Sequence, residues 1–324
     1  MELQAQYLHL EFFQFESGEV LKDLKIEYTT FGRKIIDKEG NITNGVLYLH
    51  GWSGSYSSVG NIESVIGPGK AVDTNRFFLI SPTALGSSFS TSPSTTGLGP
   101  KFPHYTVKDM VKYHMKLMEA LGIKQLKGVI GTSMGGFQAL HWAVDYPDFM
   151  GFLIPIATGQ KSGRQMNGAY GLMSRIIQED PAYHDGNYTE NPIVALERGS
   201  TIGFLWSMTP EYFEKEYKTD AEFWEAMDER NQEVAAADAN DIVWRNRAML
   251  DFNVEDKVSK IRAKTLVIAI ANDQIFPPII STIPLAEAIK GAQIFIYQSI
   301  FGHYGCVRDL ELAKDVIATF LKNE

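Results

Sequence analysis

Six short apolar runs constrain what this chain can fold into. They are Val46–His50 (VLYLH), Phe77–Ser81 (FFLIS), Leu126–Gly131 (LKGVIG), Phe152–Ala157 (FLIPIA), Thr265–Ile270 (TLVIAI) and Gln293–Gln298 (QIFIYQ). A strand that is apolar along nearly its whole length is buried on both faces, as in a parallel sheet covered by helices. The stretches between the runs read as helices, so right-handed βαβ crossovers are the expected connections. Ahead of them, Tyr7–Phe15 (YLHLEFFQF) and Leu24–Gly32 (LKIEYTTFG) flank a Gly-containing turn and read as an antiparallel pair.

One crossover helix is written out in full. Thr106 with Asp109 three residues later is a capping-box start. Val107, Met110, Val111, His114, Leu117 and Met118 then form one apolar stripe, and Gly122 marks the stop. His114 on that stripe reads as a packed core histidine.

The strand–helix rhythm stops after Ala157 and resumes at Thr265. The residues between read as helices and loops, which divides the chain into a core of 1–158 and 248–324 and a helical cap of 159–247. An insertion near the strand ends, where ligands bind in such sheets, would cover the site. Phe213, Tyr217, Ala221 and Trp224 recur at helical spacing there and read as a packing stripe.

Charge excludes some functions. The net charge is −9, against the basic patch of a nucleic-acid binder. From Glu211 to Asp241 eleven acids face only Lys215, Lys218 and Arg230, so this stretch carries −8 of that total. A solvated helix face is the plain reading, and repulsion of polyanions such as coenzyme A is the sharper one. Cys306 is the only cysteine, so no internal disulfide forms. The start, MELQAQYLHLEFF, lacks the pattern of a signal peptide, and no apolar run is long enough to span a bilayer. A cytoplasmic protein without membrane or nucleic-acid partners is expected. Asn41-Ile-Thr and Asn187-Tyr-Thr are then chance glycosylation triplets.

The chemistry gathers at Gly131-Thr-Ser133-Met-Gly135, a G-x-S-x-G between an apolar strand and the helical pattern of Phe137, Leu140, His141 and Val144. That is the strand–turn–helix setting of a nucleophile elbow. The turn crowds the positions two before and two after the serine, so glycine is needed there. It also sets Ser133 at a helix N-terminus, where the Met134 N–H can hold an oxyanion. A base and its orienting acid should follow in the order Ser, acid, His. Of seven histidines, His9, His50, His104 and His114 precede the serine, His141 lies on the elbow helix and His184 falls in the cap. His303 remains, in a glycine-flanked loop after the last strand. Asp273, just past Ile270, is the acid. The second oxyanion donor belongs on the loop after Val46–His50, HGWSGS, with Gly51 permitting close approach and the Trp52 N–H as donor. Trp52 is equally suited to wall an acyl pocket or to pack. Cys306 reads as a buried inert thiol. No nucleotide or zinc motif is present, so no metal or cofactor is expected.

These residues resemble the α/β-hydrolase superfamily, and within it the homoserine O-acetyltransferase-like branch. The resemblance spans the chain and is most specific at GTSMGGFQALHWAVDYPDFM, FPHYTVKDMV, IIQEDPAYHDGNY and NDQIFPP. It implies an α/β-hydrolase fold: a mostly parallel central sheet flanked by helices, with the cap inserted before the acid-bearing strand. It also implies Ser133 as nucleophile, Asp273 as acid and His303 as base, with a homodimer through the cap by analogy. The acetyltransferases carry an arginine in the cap that holds the amino-acid acceptor, and Arg198 is the candidate match. They differ from this chain at the oxyanion loop, HALTG-like where this chain has HGWSG, and at the elbow, GGSMGG where it has GTSMGG.

The expected chemistry is acyl transfer through an acyl-enzyme on Ser133, from a small ester or acyl donor. Water as acceptor makes an esterase, whereas a bound hydroxyl such as homoserine makes an acyltransferase. The HGWSG loop and the acidic cap favour the esterase. A non-catalytic binding protein on the same fold would require a missing triad member, and all three are present.

Overall fold

The computed structural model describes residues 3–235 and 237–324, without the side chains of 232–235. Met1 and Glu2 of the N-terminal stretch, Ala236 of the cap, and the side chain of Glu233 in the acidic stretch therefore lie outside the described parts. Among the described residues the strands are β1 (Gln6–Gln14), β2 (Val20–Gly32), β3 (Gly45–Leu49), β4 (Ile66–Gly67), β5 (Val72–Asp73), β6 (Phe78–Pro82), β7 (Leu126–Thr132), β8 (Met150–Ile156), β9 (Lys264–Ile270) and β10 (Gln293–Tyr297). The helices are α1 (Val107–Ala120), α2 (Met134–Asp145), α3 (Arg164–Glu179), α4 (Ile193–Ser207), α5 (Pro210–Glu216), α6 (Asp220–Ala235), α7 (Ala239–Leu250), α8 (Thr282–Ala288), α9 (Gly305–Arg308) and α10 (Lys314–Leu321).

Eight strands form one sheet in the order β1-β2-β6-β3-β7-β8-β9-β10, and β4 pairs with β5 apart from it. β1 pairs antiparallel with β2, and β2 antiparallel with β6. Every pairing from β6 to β10 is parallel. The apolar runs follow from burial on both sides. Val46 and Tyr48 of β3 face one hydrophobic cluster with Ile130, Phe152 and Ile268, while Leu47 and Leu49 face the other with Val129, Leu153 and Val267. Helices α1 and α2 cover the second face through Met110, Leu117, Phe137 and Leu140, and α10 covers the first through Ile317 and Phe320. Each fully buried Leu, Ile or Phe contributes ~1.5–3 kcal/mol relative to exposure.

Helix α1 starts as its sequence dictates. Thr106 Oγ1 accepts from Asp109 N–H at 3.3 Å, and Asp109 accepts in return from Thr106 N–H at 2.9 Å. The other Asp109 oxygen accepts from Glu16 N–H at 2.7 Å, which ties the helix to the end of β1. All six stripe residues are buried, and Gly122 takes a φ of 70°.

The stretch from β8 to β9 holds helices α3 to α7, and α7 runs past residue 247 to Leu250. Phe213, Tyr217, Ala221 and Trp224 do not form one stripe. Helix α5 ends at Glu216, and α6 begins anew at Asp220 after Thr219 Oγ1 accepts from Glu222 N–H at 3.2 Å. Phe213 and Tyr217 stack at 6.4 Å, whereas Trp224 is 58% exposed. The N-cap threonine resets the helical phase and turns Trp224 outward. The acids of this stretch separate in the same way. From Glu211 to Glu229 they are exposed, whereas Asp241 is fully buried on α7. Asp241 accepts from the hydroxyls of Ser88, Ser92 and Ser94 and from Ser94 N–H, all at 3.0 Å or less. It thereby joins the insertion to the loop after β6. No described helix is long and apolar enough to cross a membrane.

Burial pushes the His114 imidazole down to about 3. The unfolded chain takes up that proton near 6.5, so between the two values it binds one proton more than the folded chain. Stability therefore falls as pH falls, by ~1.4 kcal/mol per pH unit from this group between pH 6 and 5. Urea unfolding at pH 6.0 and 5.0 should show a shallower pH slope in His114→Leu than in the wild type. Equal slopes would refute this assignment.

Candidate active site

Ser133 sits between β7 and α2 with φ 54° and ψ −116°, in the left-handed half of backbone space. Such a conformation is costly for a residue with a Cβ and persists only where its surroundings enforce it. The flanking glycines show what enforces it. A Cβ on Gly131 would overlap the Gly135 carbonyl, one on Gly135 would overlap the Leu49 carbonyl, and Gly136 is pressed against Thr158 in the same manner. Ser133 N–H donates to the Ile156 carbonyl of β8 at 2.9 Å, which fixes the turn to the sheet.

The structure brings Ser133, His303 and Asp273 into one hydrogen-bonded chain. Asp273, on the turn after β9, is fully buried, and its Oδ1 accepts from Ile275 N–H at 2.7 Å and Phe276 N–H at 2.9 Å. Its Oδ2 accepts from His303 Nδ1–H at 2.7 Å. That bond sets the tautomer, so His303 Nε2 accepts from Ser133 Oγ–H at 2.8 Å. His303 lies in a 3-10 turn whose Gly302 has φ 53°, and a Cβ there would meet the Ser207 carbonyl of α4 at 2.8 Å. Asn272 takes no part in the chain. Its Oδ1 accepts from Ser299 N–H at 3.3 Å and joins the acid loop to the histidine loop.

Two backbone amides near Ser133 are left without an acceptor among the described residues. The N–H of Met134, at the first position of α2, and that of Trp52 donate no hydrogen bond within the described structure. Gly51 is not the position where glycine is required, because a Cβ there would meet Ser133 Cβ at an ordinary 3.6 Å. The crowded glycine is Gly54, where a Cβ would lie 2.6 Å from His50 Nδ1 and 2.7 Å from Ser58 Oγ. His50, set aside in the sequence because it precedes the serine, holds this loop. Its Nε2 accepts from Ala84 N–H at 2.9 Å, so Nδ1–H donates to the Gly51 carbonyl at 2.7 Å. Burial pushes the His50 imidazole down to about 4, so it remains neutral at pH 7. The signal for it was the His-Gly pair that directly follows β3.

A cavity opens over Ser133 and His303, lined further by Trp52, Tyr170, Ser207 and Tyr304. Among the described residues no Asp, Glu, Lys or Arg lines it. Cys306 borders the cavity as well, yet burial pushes its thiol far up, so it stays protonated. Arg198 is not brought to the site. Ala195, Leu196 and Gly199 form the buried face of α4, packed on Met173 of α3, and Arg198 points to solvent. The arginine beside the cavity wall is Arg245 of α7, 5% exposed, with its guanidinium 4.7 Å from the centre of the Trp52 ring. No sequence pattern marked Arg245, Tyr170, Ser207 or Tyr304. They reach the site from separate turns of the insertion and of the final loop. No cluster of metal-ligating side chains occurs among the described residues.

Residues 44–303 match the family model described as alpha/beta hydrolase fold. A "Probable acyltransferase" of Methanothermobacter thermautotrophicus is 40% identical over 99% of this chain and 98% of its own. A "Homoserine O-acetyltransferase" of Trichormus variabilis is 31% identical over 98% of this chain and 94% of its own. The crystal structure of esterase E22 superposes with a TM-score of 0.91 at 24% identity, covering 99% of this chain and all of that one, a likeness of fold. The sheet, the elbow and these matches together mean that the chain belongs to the α/β-hydrolase fold family, in its homoserine O-acetyltransferase-like branch.

Proposed function

We propose that this chain is a serine acyltransferase that passes an acyl group through Ser133 to a small hydroxyl-bearing acceptor. The observation that carries the reading is the continuous chain from Ser133 through His303 to Asp273. Ser133 Oγ attacks the donor's carbonyl carbon while His303 Nε2 takes the hydroxyl proton. Asp273 holds the imidazole in the required tautomer and stabilises the imidazolium. The Trp52 and Met134 amides hold the oxyanion. His303 returns the proton to the leaving group and leaves an acyl-enzyme. In the second half His303 takes a proton from the acceptor hydroxyl, which attacks the acyl carbonyl, and His303 returns that proton to Ser133 Oγ as the acyl–serine bond breaks.

The acceptor divides the two readings. The name of the 40% identical relative supports acyl transfer, and that of the 31% identical one a hydroxyl acceptor, over the hydrolysis that the oxyanion loop and the acidic cap favour. Ester hydrolysis stays as the second reading on one observation. The cavity lining offers no countercharge to the ammonium and carboxylate of an amino-acid acceptor. The exposed acids of α5 and α6 bear little on a donor such as acetyl-CoA, because solvent-facing charge is screened beyond about 8 Å at physiological salt.

A fluorophosphonate probe should label the wild type on Ser133 and leave Ser133→Ala unlabelled, and turnover of p-nitrophenyl acetate should fall at least ~10³-fold in that variant. Labelling elsewhere, or retained turnover, would exclude this mechanism. For the acceptor, acetyl-CoA is supplied with and without L-homoserine, and free thiol and O-acetylhomoserine are measured. Homoserine-dependent thiol release supports transfer to this acceptor. Release that ignores homoserine, with acetate as product, replaces transfer by hydrolysis.

Pairing of two copies through the cap belongs to the same proposal. Leu172, Ile193, Val194, Leu205 and Trp224 of α3, α4 and α6 are each more than 40% exposed, more apolar surface than an isolated cap favours. Sedimentation equilibrium should give twice the 36.2 kDa chain mass. A monomer at micromolar concentration would rule the pairing out.

A further inference from the structure

The Trp52 backbone lies in a turn closed by Gly54 N–H on the Gly51 carbonyl at 3.1 Å, whereas its indole is held by the insertion. Its Nε1–H donates to Asn246 Oδ1 of α7 at 2.7 Å. Asn246 is fully buried, and its Nδ2 donates to the Tyr170 carbonyl at 3.2 Å and to Ser174 Oγ at 3.0 Å, both on α3. The indole also packs against the Tyr170 ring at 5.7 Å, and the Arg245 guanidinium covers it at 4.7 Å. The buried Arg245 Nε has no hydrogen-bond partner among the described residues, and the guanidinium lies over the indole within electrostatic reach of Tyr105, Asp241 and Tyr170. The indole is thus fixed at its edge by an amide and on its surface by a ring and a cation, all from α3 and α7. Its backbone N–H meanwhile remains free beside Ser133.

We propose that Asn246 is a positioning residue for acyl transfer. By fixing the Trp52 indole it aims the Trp52 amide at the oxyanion, so that the oxyanion hole is complete only while α3 and α7 are docked on the core. The physical case rests on how steeply oxyanion stabilisation depends on placement. A donor helps only near hydrogen-bond distance of the oxygen, and a shift of ~1 Å forfeits much of its effect. A buried amide that satisfies an indole N–H and two partners on a second helix has one low-energy orientation, whereas an apolar side chain there would fill space without setting direction. Met134 needs no such help, since the elbow fixes its amide. Trp52 lies on a loop with an exposed outer side at Ser53 and Ser57, which the core holds on either side of the indole, through His50 at Gly51 and through Ser81 and Thr83 at Tyr56.

This inference rests on the Ser133 acyl-enzyme reading. The test is a double-mutant cycle on p-nitrophenyl acetate with Trp52→Phe, Asn246→Ala and both together, each read as kcat and KM, beside Ser133→Ala. Each single variant should lose about tenfold in kcat, less than the ~10²–10³ of a deleted oxyanion donor, with KM within about twofold. The double variant should be no slower than about twofold below either single, because both changes break one link. A kcat within about twofold of wild type in Trp52→Phe, or losses that multiply to about a hundredfold, would overturn the proposal. Should Asn246→Ala not fold, Trp52→Phe with Asn246→Asp decides, since Trp52→Phe keeps an aromatic ring and removes the Nε1–H, while Asn246→Asp keeps the acceptor for that N–H and the shape of the side chain and should retain kcat within about twofold. Loss of turnover in Ser133→Ala with normal kcat in the other variants removes the positioning role and leaves the acyl-enzyme. Retained turnover in Ser133→Ala removes both.

Discussion

The strained turn at Ser133 is the constraint on which the rest of the structure depends. Its left-handed backbone is held by contacts on three strands: the β7 strand it leaves, the Ile156 carbonyl of β8 that takes its N–H, and the Leu49 carbonyl of β3 that leaves room for nothing larger than Gly135. Those strands are neighbours only because the parallel order β3-β7-β8 places their carboxyl ends side by side. The same ends send out the loops that carry Trp52 and, from β9 and β10, Asp273 and His303. A sheet buried on both faces is therefore what makes the strain affordable. Its packing supplies the free energy that one disfavoured residue costs, ~1–3 kcal/mol.

Much of this was readable because it follows from local rules. Near-continuous apolar runs announce two-sided burial, and all six became strands of the central sheet. The capping box at Thr106 and Asp109 fixed the start of α1 to the residue, since a cap is a short-range bond between two named side chains and two amides. Ser133, Asp273 and His303, which the structure brings into one hydrogen-bonded chain, stand out by chain order and local setting, Ser133 and His303 between glycines and Asp273 just past the strand that ends at Ile270.

What escaped the sequence acts over distance. His50 was discarded by the rule that the base follows the serine, a rule about the base that says nothing of a neutral imidazole bracing a loop. Its partners, Gly51 and Ala84, are brought together by β3 and β6 lying side by side. Arg198 drew attention as a cation in the cap, but the helical phase of α4 turns it to solvent while Arg245, with no motif around it, is buried against Trp52. The stripe from Phe213 to Trp224 failed for a local reason: Thr219 is an N-cap, and one capping threonine ends the phase of the preceding helix. Asp241, counted among the solvated acids by composition, is sequestered by three serines about 150 residues away in the chain.

The consequence reaches the chemistry. In an acyl-enzyme mechanism the first half-reaction needs only the nucleophile, its base and an oxyanion hole, whereas the second is decided by what stands nearest the acyl carbonyl. Here the insertion serves both halves. Tyr170 and Ser207 wall the cavity over Ser133, and Asn246 and Arg245 grip Trp52, whose amide is the proposed second oxyanion donor. Tyr170 belongs to both groups, since its ring touches Trp52 and its carbonyl takes a bond from Asn246. A displacement of α3 that opened the cavity to water would therefore loosen the Trp52 amide at the same time. Hydrolysis would be slowed in the open state by the same contact that favours transfer in the closed one. On the proposed mechanism, such a coupling would let the insertion bias the choice of acceptor without altering Ser133, His303 or Asp273.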